Sequence, residues 1–125
     1  MFPVKEKALI GVLGGSGNYN PKFFDSSKEV KVYTPFGAPS SKVMIGKVGD
    51  LSVAFIARHG KNHTIPPSKI NYRANIWAMK KLGVKRVISP AACGALQPKI
   101  KRGDFVICDQ LFDRTKHRVH TFLDG

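Results

Sequence analysis

Acidic residues are scarce in this chain: 8 Asp and Glu stand against 21 Lys and Arg in 125 residues, a formal charge of +13. Such a surplus steers anionic partners and supports loose contact with polyanions, but does not choose between small anions and nucleic acid. The basic residues are dispersed (Lys42, Lys47, Lys61, Lys69, Lys80, Lys81, Lys85, Arg86), with small clusters at 99–102 and 114–118. That distribution describes a solvated surface, and no specific nucleic-acid binding is expected. Cysteine is rarer still, with 2 residues, which excludes a disulfide-dense scaffold. Cys93 and Cys108 have neither metal-ligand spacing nor a nucleophile's context and read as small core residues. His117 and His120 lack a third ligand at a sensible spacing, so no metal site is expected. No apolar run approaches the roughly 20 residues of a membrane span, and the charged stretch 1–7 is not followed by the apolar core of a leader. A cytoplasmic address without a membrane is the expectation.

What the sequence does have is material for one globular domain: 42% hydrophobic residues in a length that buries roughly two-thirds of the unfolded surface. Apolar runs predict strands over 8–13, 29–34, 42–48, 51–57, 84–89 and 104–109, with Gly49-Asp50 as a hairpin turn. A helix is predicted over 68–82, where Ile70, Ala74, Trp77 and Ala78 recur at helical spacing, Ser68 can cap the start and Gly83 ends it. Trp77 reads as core, and Tyr72 and Asn75 as residues that cap the helix or tie it to the sheet. Helix, glycine and buried strand in that order, after antiparallel pairing, predict an α/β fold: a mixed β-sheet with flanking helices. Residues 94–125 are polar and irregular outside the last strand, with Phe112 and Phe122 exposed, as though a further segment were needed to cover them.

Two nucleotide signatures are missing. Gly11, Gly14, Gly15 and Gly17 do not give Gly-x-Gly-x-x-Gly, and no Gly-Lys-Ser/Thr follows, so neither a dinucleotide fingerprint nor a nucleotide P-loop is present. Yet the buried strand Ala8–Leu13 empties into Gly14-Gly15-Ser16-Gly17, where glycines let a ligand approach backbone N–H groups and the Ser16 hydroxyl adds a donor. A tight connection explains that loop equally well. The second candidate is Ala57-Arg58-His59-Gly60-Lys61-Asn62-His63-Thr64, which follows a strand. Arg58 offers a planar fork of permanently charged donors and His59 a donor tunable near neutrality, a pairing suited to phosphate. A solvated loop accounts for the octet by itself; the two loops together favour an anion site. His63 either lines that site or bonds the turn at Pro66-Pro67. Asp104, Asp109 and Asp113 read as turn-forming carboxylates, and no general acid is nominated.

Taken in order, Gly14-Gly15-Ser16-Gly17, Thr34-Pro35-Phe36-Gly37, Arg58-His59-Gly60 with His63, Asn71-Tyr72-Arg73-Ala74-Asn75-Ile76, and Gly103-Asp104-Phe105 through Asp109-Gln110 and Asp113-Arg114-Thr115 closely resemble the methylthioadenosine phosphorylase family, a trimeric branch of the purine nucleoside phosphorylases. The resemblance covers nearly all of 8–125 but only about the first half of such an enzyme. It implies that residues 1–125 are the N-terminal, phosphate-binding part of a single nucleoside phosphorylase domain whose C-terminal half is absent. It implies phosphorolysis of 5′-methylthioadenosine to adenine and 5-methylthioribose 1-phosphate, with inorganic phosphate as co-substrate and no cofactor. By the same resemblance Ser16, Arg58 and His59 bind phosphate, with Ala91 and Ala92 closing that site and Cys93 and Gly94 lining the purine and ribose. The family generally places a serine or threonine where this chain has Ala91; one neutral hydrogen bond to phosphate is worth on the order of 1 kcal/mol. Two alternatives stand: a 6-oxopurine nucleoside phosphorylase, and a non-catalytic truncated product with a basic, anion-binding surface.

Overall fold

The computed structural model describes residues 6–15 and 21–123. Its frame is a five-stranded mixed sheet built from β1 (Ile10–Gly14), β2 (Ser26–Val30), β3 (Val43–Val48), β4 (Leu51–Ala57) and β5 (Arg86–Ile88), in the order β2-β3-β4-β1-β5. β2, β3 and β4 pair antiparallel, the last two through the expected turn at Gly49-Asp50, where Gly49 has φ +56. β4, β1 and β5 run parallel, with Ile10 beside both Val53 and Arg86. The mixed sheet expected from the sequence is thus present, and three parallel strands deliver their carboxyl ends to one edge.

β4 reads as a continuous apolar run because both of its faces are covered: Val53 through Ala57 are all buried. On one face Val43, Ile45, Ala54 and Ile56 pack with Leu13 and with Ala78, Met79 and Leu82 from the helix α1 (Tyr72–Lys81) and its end. On the other, Met44, Phe55 and Ala57 cluster with Val12 and Phe24. Each aliphatic side chain fully withdrawn from water, such as Ile56, contributes about 1.5–3 kcal/mol.

α1 begins later than its periodicity predicts. Residues Pro67–Lys69 form a 3-10 turn, and Asn71 rather than Ser68 caps the helix, its side chain accepting from the Ala74 N–H at 3.1 Å. Its end is as expected: Gly83, at φ +81, donates to the Lys80 carbonyl and Val84 to that of Met79, the paired bonds that close a helix through a left-handed glycine. Among the described residues Asn75 is the buried polar side chain of the core, and it does tie the helix to the sheet side. It accepts from Ser40 N at 2.8 Å and donates to Ser40 Oγ at 3.0 Å. Trp77 is half-buried instead of central, edge-on to Phe36 with ring centroids 5.9 Å apart.

Four further expectations are corrected. β2 lies at 26–30, not 29–34, because its register is set by pairing with β3 and not by the apolar residues that follow it. The 84–89 run narrows to Arg86–Ile88, which is exposed and not the buried strand expected, because β5 is an edge strand of the described sheet. Residues 104–109 form no strand: Phe105 and Ile107 are exposed, and the alternation has no neighbouring strand to pair with. Cys93 and Cys108 are free and exposed, not core, because the segment after β5 is not packed into either cluster. That segment's contacts with the body include Arg118, which donates to Pro67 O at 2.8 Å, and Phe122, 5.3 Å from Phe36 between ring centroids. Among the described residues no helix is long and apolar enough to cross a membrane.

Candidate anion site

The parallel strands create the site. In open α/β sheets ligands settle outside the carboxyl ends of such strands, and here the chain leaves β1 at Gly14, β4 at Ala57 and β5 at Ile88, all along one edge. One side chain joins all three. Arg58 extends the β4–β1 ladder through its own N–H to Gly14 O at 3.0 Å. Its guanidinium Nη1 then donates to Leu13 O at 3.0 Å and to Pro90 O at 2.8 Å. Two carbonyls thus hold a half-buried cation in one orientation without neutralising it, leaving its remaining donors for an anion. Gly15 makes room for this: a Cβ there would overlap Arg58 Nη2.

The loop beyond Arg58 folds back on itself. Gly60, at φ +80, donates to Ala57 O, and Ile65 N donates to His59 O at 2.9 Å while His59 Nδ1 donates to Ile65 O at 2.8 Å. That reciprocal pair fixes the imidazole. His63 follows in the left-handed region at φ 55, unusual for a residue with a Cβ, and brings its ring to 4.7 Å from that of His59. Ser41 Oγ accepts from the N–H of Ala57 at 3.1 Å, so the contacts of Asn75 with Ser40 anchor the stretch that steadies the base of the loop.

These residues border a cavity of about 650 Å³ lined by Arg58, His59, His63, Thr64, Ile65, Pro66, Pro67 and Ala92. The lining carries one permanent cation and two imidazoles and no carboxylate. Lys61, beside it in sequence, is drawn outward to Glu29 at 3.2 Å. The arrangement suits a tetrahedral anion held between a guanidinium and an imidazole.

Of the expected site residues, Arg58, His59 and Ala92 are brought together at this cavity. Ser16 lies outside the described residues. Ala91, Cys93 and Gly94 sit on the adjoining exposed loop but not in the lining, where the Cys93 thiol faces Ala91 O at 3.6 Å. His63 lines the cavity, whereas it is His59 that bonds the turn before Pro66. Sequence reading missed the apolar wall formed by Ile65, Pro66 and Pro67 and the two carbonyls that orient Arg58. A proline pair directly after a cationic loop was the available signal for the wall; nothing in the sequence points to carbonyls. Asp104 and Asp113 do build turns, accepting from Lys101 N and Thr115 N, both at 2.8 Å.

Residues 9–125 match the model of the phosphorylase superfamily. The chain belongs to the phosphorylase superfamily. Among its relatives, the S-methyl-5′-thioadenosine phosphorylase of Saccharolobus solfataricus is 59% identical over 125 residues, 100% of this chain and 46% of that protein. The 6-oxopurine nucleoside phosphorylase of Pyrococcus furiosus is 53% identical over 116 residues, 93% of this chain and 43% of that one. The fold of this superfamily member is similar to methylthioadenosine phosphorylase from Schistosoma mansoni in complex with tubercidin, with a TM-score of 0.84 and 46% identity, covering 93% of this chain and 41% of that one. The chain therefore spans about half the length of the curated relatives it matches.

Proposed function

We propose that this phosphorylase-superfamily chain supplies the phosphate-holding part of a methylthioadenosine phosphorylase, in which inorganic phosphate displaces adenine from 5′-methylthioadenosine. The observation that carries the reading is the Arg58 guanidinium, clamped by the Leu13 and Pro90 carbonyls beside His59 at the carboxyl edge of the parallel strands. In this reading Arg58 and His59 hold the anion with Ser16 as a further donor. The 91–92 backbone closes the site, and Cys93 and Gly94 adjoin the purine and ribose. Phosphate is a co-substrate; no cofactor or metal enters, and no residue of this chain is assigned as general acid.

The chemistry asks for this arrangement. A phosphate oxygen forms its bond to the anomeric carbon as the bond to the base nitrogen breaks, and the departing base takes up a proton. The sugar becomes cationic on the way, so a fixed phosphate anion in a poorly solvated site is both nucleophile and counter-charge. The relatives at 59% and 58% identity named for methylthioadenosine support that substrate, while the 6-oxopurine enzyme at 53% keeps inosine-type nucleosides as the second reading. A cytoplasmic location accords with two exposed, unpaired thiols. A homotrimer is part of the proposal and is checked by sedimentation. The reading is tested with Arg58→Ala in the full-length protein. The KM for phosphate should rise by about 10²-fold or more, with the nucleoside KM changing far less. Unchanged phosphate dependence would remove Arg58 from the site.

A further inference from the structure

We propose that His59 sorts tetrahedral oxyanions by whether they carry a proton, admitting hydrogen phosphate through its neutral ring and an acceptor-only anion such as sulfate through its protonated ring alone. The inference rests on the phosphate reading above and deepens it.

A carbonyl oxygen can only accept, so the 2.8 Å contact between His59 Nδ1 and Ile65 O places the hydrogen on Nδ1. The Ile65 N–H, donating back to His59 O at 2.9 Å, holds the ring to that orientation. Neutral His59 is then committed to one tautomer, with a lone pair on Nε2. Nε2 has no partner among the described residues, and the ring borders the cavity beside Arg58. Hydrogen phosphate brings the matching group: its P–OH donates to Nε2 while its other oxygens accept from Arg58. Sulfate has no proton at neutral pH and presents only lone pairs, so beside neutral His59 it meets lone-pair repulsion. It gains a hydrogen bond only after the ring takes up a proton.

The groups facing His59 leave that proton to the imidazoles. Arg58 does not titrate. The walls from Ile65 to Pro67 and at Ala92 are apolar, and Lys61 points to Glu29. His63, its ring 4.7 Å from that of His59, is the one other titratable group of the described lining.

The test is competition of inorganic phosphate and sodium sulfate for the full-length protein by calorimetry from pH 5.5 to 8.5. Binding that requires one proton loses up to about tenfold in affinity per pH unit above the pKa of the ring. Sulfate should lose affinity with that slope and phosphate should not, so the phosphate-to-sulfate ratio widens as pH rises. His59→Gln, whose amide both donates and accepts, should flatten the ratio; His63→Asn should keep it. In the unsubstituted protein, nitrogen NMR of His59 should show the Nδ1–H tautomer, whatever the fate of the variants. A flat ratio with both anions bound, a slope that follows His63 instead of His59, or an Nε2–H tautomer each overturns the proposal and leaves the phosphate site standing. Failure of phosphate to bind at all overturns both.

Discussion

Replacing Gly15 with alanine tests the architecture of the site without removing any group proposed to contact the anion. The added Cβ overlaps Arg58 Nη2, the movable end of a flexible side chain, so the sheet can persist while the guanidinium must leave its seat. Leaving it breaks the bonds to Leu13 O and Pro90 O. Hydrogen bonds from a charged donor are each worth about 1.5–3 kcal/mol, and the lower end applies to a half-buried side chain whose donors water can reach. With water replacing part of the loss, about 1.4–2.8 kcal/mol of positioning is forfeited, equivalent to roughly 10- to 100-fold in phosphate affinity. Global stability moves in a different way. Gly15 is not at positive φ, so alanine there reduces the entropy of the unfolded chain by about 0.4–1 kcal/mol, offsetting part of the local cost. The expected pattern in calorimetry and thermal melting is therefore weakened phosphate binding with a melting temperature shifted by only a few degrees. Phosphate binding within about twofold of the parent protein would refute the idea that the two carbonyls orient Arg58 for its ligand.

Two further outcomes are expected. Asn75→Leu leaves Ser40 N–H and Oγ without their buried partner, at about 1–3 kcal/mol for each unsatisfied group, so urea unfolding should show a loss of about 2–4 kcal/mol; an unchanged midpoint would contradict it. Glu29 is held below its ordinary value of 4.5 first by the Lys61 hydrogen bond and charge and then by Lys42. Its stabilising effect is therefore present above about pH 4.5 and disappears as pH falls through the lowered value, so Glu29→Gln should melt lower than the parent at pH 7 and closer to it near pH 3. Equal melting at both pH values would dismiss the pairing.

Much of the frame was legible because local pattern and tertiary environment agree. β1, β3 and β4 are apolar over the lengths at which they are buried, and Gly49 and Gly83 stand where left-handed backbone is required. The pattern failed where pairing overruled composition. The polar Ser26–Val30 becomes a strand because β3 offers it an edge, and the apolar 104–109 does not because nothing is beside it. Ser68 lost the cap to Asn71 because the proline pair holds the preceding turn in 3-10 form. For the site, Arg58 and His59 stood out by their chemistry. The convergence of Leu13, Arg58 and Pro90 depends on strand order, which no local window contains.

That strand order also links the site to the formation of the fold. β1 finds its two parallel partners far along the chain, at Val53 and at Arg86, and contacts of such separation are slow to close and are made after local structure. Until both are in place, the carbonyls of Leu13 and Pro90 do not face one arginine, and no cradle exists in a partly folded chain. An anion that recognises the completed cradle binds the folded state alone, and by mass action becomes a stabilising component of the protein. Any such anion would then favour the closed sheet, to the extent that its concentration exceeds its dissociation constant.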